Sequence, residues 1–316
     1  MRVVFSERGA TSAILALFLA SALGFAALVI DIGNAWQERR NLVTATDAAA
    51  LEAGQEYALG NNGCGGSNAR VVANNPDAIS STCTPVLPTS TSPGRVTVEA
   101  DAEVDFFFGP ILGLDGTSVS SSTTVNWDEA ATVDGGLRPF GLCVDYLASI
   151  GAEPVGTFVI EYGKDDQPDA CGEDAPGNWG TLDFDGGSNS NNDTRDWVEN
   201  GYDGSVSIGD MIEGDTGNGV TNALRNELNF LMTVDQFTLP VFDSVTGNGA
   251  NAEFTIVDFA VVRLVDYRAA GGRNSTLTLE FLEGVVQGTG GGPGGFGAFV
   301  IGICAVDGVD ETTTCT

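Results

Sequence analysis

The sequence predicts an α+β protein: a long N-terminal transmembrane and stalk helix, then a mainly antiparallel, β-rich extracytoplasmic body with inserted short helices. Three observations predict it. Residues 9–30 contain no charged side chain. Residues 95–105 alternate, with Val96, Val98, Ala100, Ala102 and Val104 on one face and Thr97, Glu99, Asp101, Glu103 and Asp105 on the other, the pattern of a half-buried strand. The chain carries 43 glycines, which favour a turn-rich body over a helical bundle.

The uncharged run comes first. At about 1.5 Å per residue its helix is about 33 Å long, enough to cross a hydrocarbon core. Its only polar side chains are Thr11, Ser12 and Ser21, whereas a soluble helix of this length would show a polar face. A cleaved signal peptide is the alternative. Against it, the stretch from Asp31 to Leu59 has no proline and is rich in Ala, Leu, Glu, Gln and Arg, all good helix formers. Trp36, Val43, Ala50 and Tyr57 recur every seven residues. One helix is expected to leave the membrane unbroken and to stop at the Gly60-Asn61-Asn62-Gly63 cluster. Ala13, Ala16, Ala20 and Gly24 are spaced to allow close packing with a second such helix, so a homo-oligomer through the N-terminal helix is compatible with the sequence.

Arg2 and Arg8 precede the span, and Arg39 and Arg40 follow it, a near tie by the positive-inside count. The cysteines decide the orientation. Cys64, Cys83, Cys143, Cys171, Cys304 and Cys315 form no CxxC pair, and the chain has no histidine, so a zinc site of usual spacing is not expected. An even count in an exported chain reads as disulfides, which need an oxidising compartment. The reading is a single-pass cell-membrane protein, N-terminus cytoplasmic and body extracytoplasmic. Sequence alone does not choose among the 15 connectivities that six cysteines permit; the shortest loops are Cys64–Cys83, Cys143–Cys171 and Cys304–Cys315.

Three regions are expected: the anchor and stalk helix at 1–60, a small α/β region at 61–135 with strands packing on the stalk, and a β-rich domain at 136–316. Residues 61–93, rich in Gly, Asn, Ser, Thr and Pro, read as a stapled surface loop. The strand beginning at Arg95 is expected to reach Phe108 and to pair with 119–127 across a turn at 113–116. Further strands are expected at 157–162, 253–267, 275–287 and 296–306, helices at 195–200 and 220–231, and a hairpin tip or flexible loop at 288–295.

The charge excludes one class of partner. There are 43 acidic residues against 13 basic ones, and Lys164 is the sole lysine. A net charge of −30 is the wrong sign for nucleic acid, whose phosphates need clustered Lys and Arg. The lack of histidine removes the Ser-His-Asp and Cys-His arrangements, and the chain contains no GxSxG, P-loop or HExxH. Asp215-Thr216-Gly217 matches one aspartic-protease triplet, but no second copy exists and that chemistry takes two carboxylates. Asp203-Gly204-Ser205-Val206-Ser207 matches DxSxS, a magnesium motif that should close a long apolar strand; a chance match is favoured. No enzymatic activity is expected.

The remaining site candidate is acidic. Residues 165–215 hold fourteen Asp and Glu and a single opposing charge, Arg195. Within them Asp183, Asp185 and Asp193, with Asn189 and Asn191, offer alternating oxygen ligands in a glycine-rich loop. Its composition is like that of a calcium loop, without the spacing or terminal Glu of an EF-hand. A calcium loop and a solvated acidic loop are the two readings, and no other cofactor is expected.

Some of these residues carry a resemblance. Glu7-Arg8-Gly9, the apolar span, Asp31-Ile32-Gly33, Arg39-Arg40-Asn41-Leu42 and Ala45-Thr46-Asp47-Ala48-Ala49-Ala50-Leu51 resemble the N-terminal signature of the TadE/TadG-like proteins of tight adherence and Flp pilus assembly. Val43 stands where that pattern has Gln. Arg95-Val96-Thr97-Val98, Phe106-Phe107-Phe108-Gly109 and 119–125 resemble the family more loosely. A weaker echo of large extracytoplasmic regions of some members lies in Cys171-Gly172, residues 176–186 and Asn200-Gly201-Tyr202. Pilin-like members are cut after the glycine and carry Glu at the fifth mature position, which here is Ile14. The resemblance therefore implies a retained, anchored, TadG-like component of pilus assembly, with the membrane and other pilus-assembly or envelope proteins as partners. The alternative is a surface adhesin or calcium-dependent binding module with no role in the pilus machinery.

Overall fold

In a computed structural model, the described residues are 8–89, 92–153, 155–162, 181–186, 191–214, 224–247, 252–269, 275–307 and 309–310. Helix α1, Arg8–Ala58, runs without interruption through the apolar span and the stalk. Good helix formers and the absence of proline explain its continuity. It stops where Gly60 enters the left-handed region at φ 71°, a conformation glycine adopts without cost, while the Asn61 N–H reaches back to the Glu56 carbonyl at 2.8 Å. It is the one helix among the described residues that is long and apolar enough to cross a membrane, and no part of its apolar window is buried.

Two layers follow. Helix α2, Cys64–Asn74, and strands β1, Ala78–Val86, β2, Gly94–Asp105, and β3, Gly116–Asp134, come next in the chain. The chain continues with β4, Leu142–Cys143, α3, Val144–Ser149, β5, Gly156–Tyr162, β6, Leu182–Asp183, α4, Asn191–Glu199, β7, Ser205–Ser207, β8, Met211–Gly214, and α5, Arg225–Leu231. Strands β9, Phe237–Thr246, β10, Glu253–Arg268, β11, Ser275–Leu282, β12, Gly284–Val285, β13, Gly288–Gly290, β14, Ala298–Val306, and β15, Val309–Asp310, complete it. One sheet has the order β1-β2-β3-β14-β12, with β7, β13 and β15 attached at its margins. The other has the order β4-β9-β10-β11-β5, with β8 pairing to β10 and β6 to β8. Pairing is antiparallel except for β4–β9 and β12–β14. The α+β class with a long N-terminal helix and a mostly antiparallel body is what the sequence predicts.

The alternation in β2 is matched position by position: Val96, Val98, Ala100, Ala102 and Val104 are buried, and Glu99, Asp101, Glu103 and Asp105 are exposed. Its apolar face receives the second half of α1. Leu42, Ala45, Ala49, Ala50 and Ala53 form one core with Val96, Val98, Val125 and Trp127. The buried stripe is made of small residues, so the helix lies close on the sheet; a Cβ added at Gly54 would come within 2.6 Å of Val125 Cγ1. Thr46, buried in this interface, shares hydrogen bonds of 3.0 Å with Ser121 and Thr123, and Thr123 donates to Asp47 at 2.7 Å. Trp36, expected on the same face, is instead exposed. It offers its ring to Arg40 at 5.9 Å.

Several expectations need correction. Within 61–89 the chain forms helix α2 and strand β1 rather than a continuous loop; the run from Asn68 to Ala73 is helix-compatible, and Val71 secures it by entering the α1 core. Strand β2 ends at Asp105, not Phe108, and the connection to β3 is longer than a turn. Strand β9 was not foreseen: Pro240 within it argues against a strand, yet Phe237, Leu239, Val241 and Phe242 are buried in the second core. Strand β14, in the region expected as a separate β-rich domain, pairs with β3 in the first sheet from Phe299 opposite Glu129 to Val306 opposite Thr123.

Gly54→Val should lower the stability of the folded body by about 1–3 kcal/mol, the range for overpacking. Gly24→Ala, whose added Cβ meets nothing within 4 Å, should leave it unchanged. Thermal unfolding of both variants in detergent, followed by near-ultraviolet circular dichroism, checks this.

Candidate functional site at the membrane junction

The signature residue Asp31 is the last apolar turn's neighbour on α1 and is buried, with 5% of its surface exposed. A carboxylate there needs donors, because an uncompensated buried charge is costly. The connection between β2 and β3 supplies them. The Phe107 N–H donates to Asp31 Oδ1 at 2.8 Å and the Gly109 N–H to Oδ2 at 2.8 Å. The Phe108 N–H is shared between both oxygens at 3.2 Å. These donors open a 3-10 turn, Gly109–Leu112, whose first N–H groups have no partner within the turn. The Asp31 carboxylate is thus the cap of a turn 76–78 residues away in sequence.

Around this clamp the surface is apolar. Phe107 and Ile111 are each 81% exposed, and Leu114 is also exposed. Between hairpin and helix lies an apolar cleft of about 550 Å³, bordered by Leu23, Ala27 and Ile30 on one side and Phe106, Ile111 and Leu114 on the other. Higher on α1, polar contacts lock the stalk to the body: Arg39 pairs with Asp307, Arg70 with Glu52, and Asn75 donates to Glu38 at 2.6 Å. Asp307 also accepts the Ser122 N–H at 3.1 Å.

The acidic candidates lie apart from this junction. Asp183 is buried on β6, in register with Glu213 of β8. Asp185 follows it in a bend, and Asp193 sits in the first turn of α4. Asn189, Asp215 and residues 187–190 and 215–223 lie outside the described residues. Among the described residues no group of three or more acidic or cysteine side chains is arranged to hold a metal ion. In the DxSxS stretch, Ser205 donates to Asp134 at 2.6 Å and the Ser207 hydroxyl pairs with that of Thr132 at 3.0 Å; both serines serve the β7–β3 pairing. Cys64 and Cys83 are bonded, with Cα atoms 5.6 Å apart. Cys143 and Cys304 are also disulfide-bonded; Cys171 and Cys315 lie outside the described residues.

A second acidic group was missed from the sequence. Glu129 on β3 is pushed up to about 7 by burial, and then by the negative charges of Asp258, Asp128 and Glu283. Asp258, in the middle of β10, is raised to about 6 by burial, opposed by the Phe259 N–H. The glycine-rich run lies against this group: the Gly291 and Gly292 N–H groups both donate to the Glu129 carbonyl at 3.0 Å. A Cβ at Gly294, already at φ 70°, would strike the Glu129 side chain. The signal available in the sequence was Asp258 itself, a charge inside the apolar run from Ile256 to Val262. Arg138 is a further buried charge; its Nη1 donates to the Trp197 carbonyl at 3.3 Å, and burial lowers its pKa.

With this geometry in place, comparison with known proteins bears on α1. Residues 9–56 match the family model described as putative Flp pilus-assembly TadE/G-like. The N-terminal helix is thus similar to that family over 9–56. The matched segment contains the span, Asp31 and the small residues that pack on the sheet, and it connects the chain with Flp/Tad pilus assembly. No curated protein and no solved structure matches the chain.

Two outcomes follow. Asp31→Ala should destabilise the body by about 2–3 kcal/mol, since charge-assisted hydrogen bonds contribute about 1.5–3 kcal/mol each and water recovers part of the loss; Asp31→Asn should cost less. Chemical denaturation in detergent measures both. Glu129 and Asp258 have raised values, so between about pH 4 and 7 the folded state holds protons that the unfolded chain has released. Their contribution to stability is therefore lost as pH rises through that window. Glu129→Gln should raise Tm at pH 8 by about 2–4 °C for each kcal/mol relieved, and the gap to the parent should close by pH 5, as scanning calorimetry would show.

Proposed function

We propose that the chain is a non-enzymatic, single-pass envelope component of an Flp/Tad-type pilus-assembly system. The segment before the span faces the cytoplasm, and the acidic body is displayed on the far side. One observation carries the reading: the TadE/G-like segment coincides with a helix whose first half exposes apolar side chains over its whole circumference and whose second half buries one small-residue face against the first sheet of a folded body. Such a helix joins a membrane to an extracytoplasmic domain rigidly. The Cys64–Cys83 bond supports the orientation, because it needs an oxidising compartment. Ile14, where processed pilins carry Glu, supports an accessory component over a polymerising subunit.

Affinity purification of the full chain from detergent-solubilised membranes should recover the secretion ATPase or membrane-platform proteins of the pilus system. Protease added outside spheroplasts should digest the body and spare the span. Recovery of none of those proteins, with the membrane fraction intact, would sink the pilus reading. A body protected until the membrane is broken would reverse the orientation.

A further inference from the structure

The connection between β2 and β3, residues 106–114, carries the sequence FFFGPILGL and has no charged side chain. In a chain with 43 acidic residues, nine uncharged positions flanked by Asp105 and Asp115 form a marked boundary. Phe107 and Ile111 point away from both cores, each 81% exposed. Water is a poor solvent for such a patch.

Its level along α1 decides what covers it. The uncharged run 9–30 is about the length of the hydrocarbon core. The hairpin faces α1 between Leu23 and Ile32, so it lies beside the last two turns of that run. Trp36 comes after it on α1, exposed where an aromatic belt would sit at the membrane boundary.

Backbone at that depth must have its polar groups satisfied internally, and seven N–H groups of this hairpin are bonded within the chain. Phe107, Phe108 and Gly109 donate to Asp31. Phe106 donates to the Asp115 carbonyl at 3.0 Å, Ile111 to Phe108, Gly113 to Pro110 and Leu114 to Gly109. Pro110 has no N–H to satisfy.

We propose that residues 106–114 are a second membrane-contacting element, inserted into the leaflet on the body's side. Asp31 holds the hairpin at that depth, and acyl chains fill the cleft between it and α1. This rests on the reading of α1 as a membrane span, and the experiment separates the two. The full chain, with its native disulfides formed, is reconstituted into phosphatidylcholine vesicles. A polarity-sensitive dye is placed on Ile111→Cys, on Leu17→Cys in the span, or on Glu103→Cys on the exposed face of β2. All three side chains are exposed, so the substitutions leave the cores intact.

Emission from position 111 should be blue-shifted and quenched by spin-labelled lipid, as at position 17, and resist aqueous iodide, which quenches position 103. Adding Asp31→Ala should return position 111 to iodide access; unchanged protection would overturn the role of the clamp. Lipid quenching at 17 with iodide quenching at 111 would overturn insertion and leave the anchor standing. Iodide quenching at both would remove the anchor as well. Protection of 111 from lipid and iodide alike would mean that protein covers the hairpin, and would overturn the lipid assignment.

Discussion

Everything above the membrane hangs on how closely α1 can lie on the first sheet. Ala45, Ala49, Ala53 and Gly54 present almost no side chain to β2 and β3, so the helix backbone approaches the strands directly. Each alanine buries little apolar area, so the interface depends on many positions and on its hydroxyl contacts through Thr46, Ser121 and Thr123. A larger residue at any of these points would lift the helix and open the whole row, because close-packed interiors do not absorb added volume.

That approach explains why one sequence segment can serve two solvents. Below Asp31 the same helix shows Leu, Phe and Ile on all sides, as a lipid-facing element must. Above Arg39 it shows a small-residue face toward protein and a polar face toward water. Asp31 stands at the change. Its charge would be misplaced one turn lower, and one turn higher it could not reach the hairpin N–H groups. The TadE/G-like signature thus reads physically as a span, a clamp and a docking face.

Much of this was legible in the sequence because the responsible patterns are local. The span shows as an absence of charge, β2 as strict alternation between valine or alanine and acid, and the stalk as an unbroken run of helix formers. What was not legible depends on partners distant in the chain. Asp31 reads as a signature position until the hairpin, more than seventy residues later, is seen to surround it. Strand β9 was hidden by Pro240, whose missing N–H is tolerated where only tertiary packing could have revealed it. Helix α2 was hidden by glycines and asparagines that suggested a loop, while Val71 supplied the anchor. The carboxylates Glu129 and Asp258 lie on strands 129 residues apart and share one environment only after the two sheets meet.

The return of β14 to the first sheet has a topological meaning. After β3 the chain builds the second core, touches β3 on the way through β7 and β13, and comes back as β14 to pair with β3 again. The second core is therefore an insertion rooted at both of its ends, not a pendant on one linker. A single backbone nick in either crossing would leave it held by the other and by the β7–β3 pairing, and swinging it as a unit would mean breaking that pairing as well as twisting two connections at once. Its placement relative to the membrane is set by the same strands that grip the stalk.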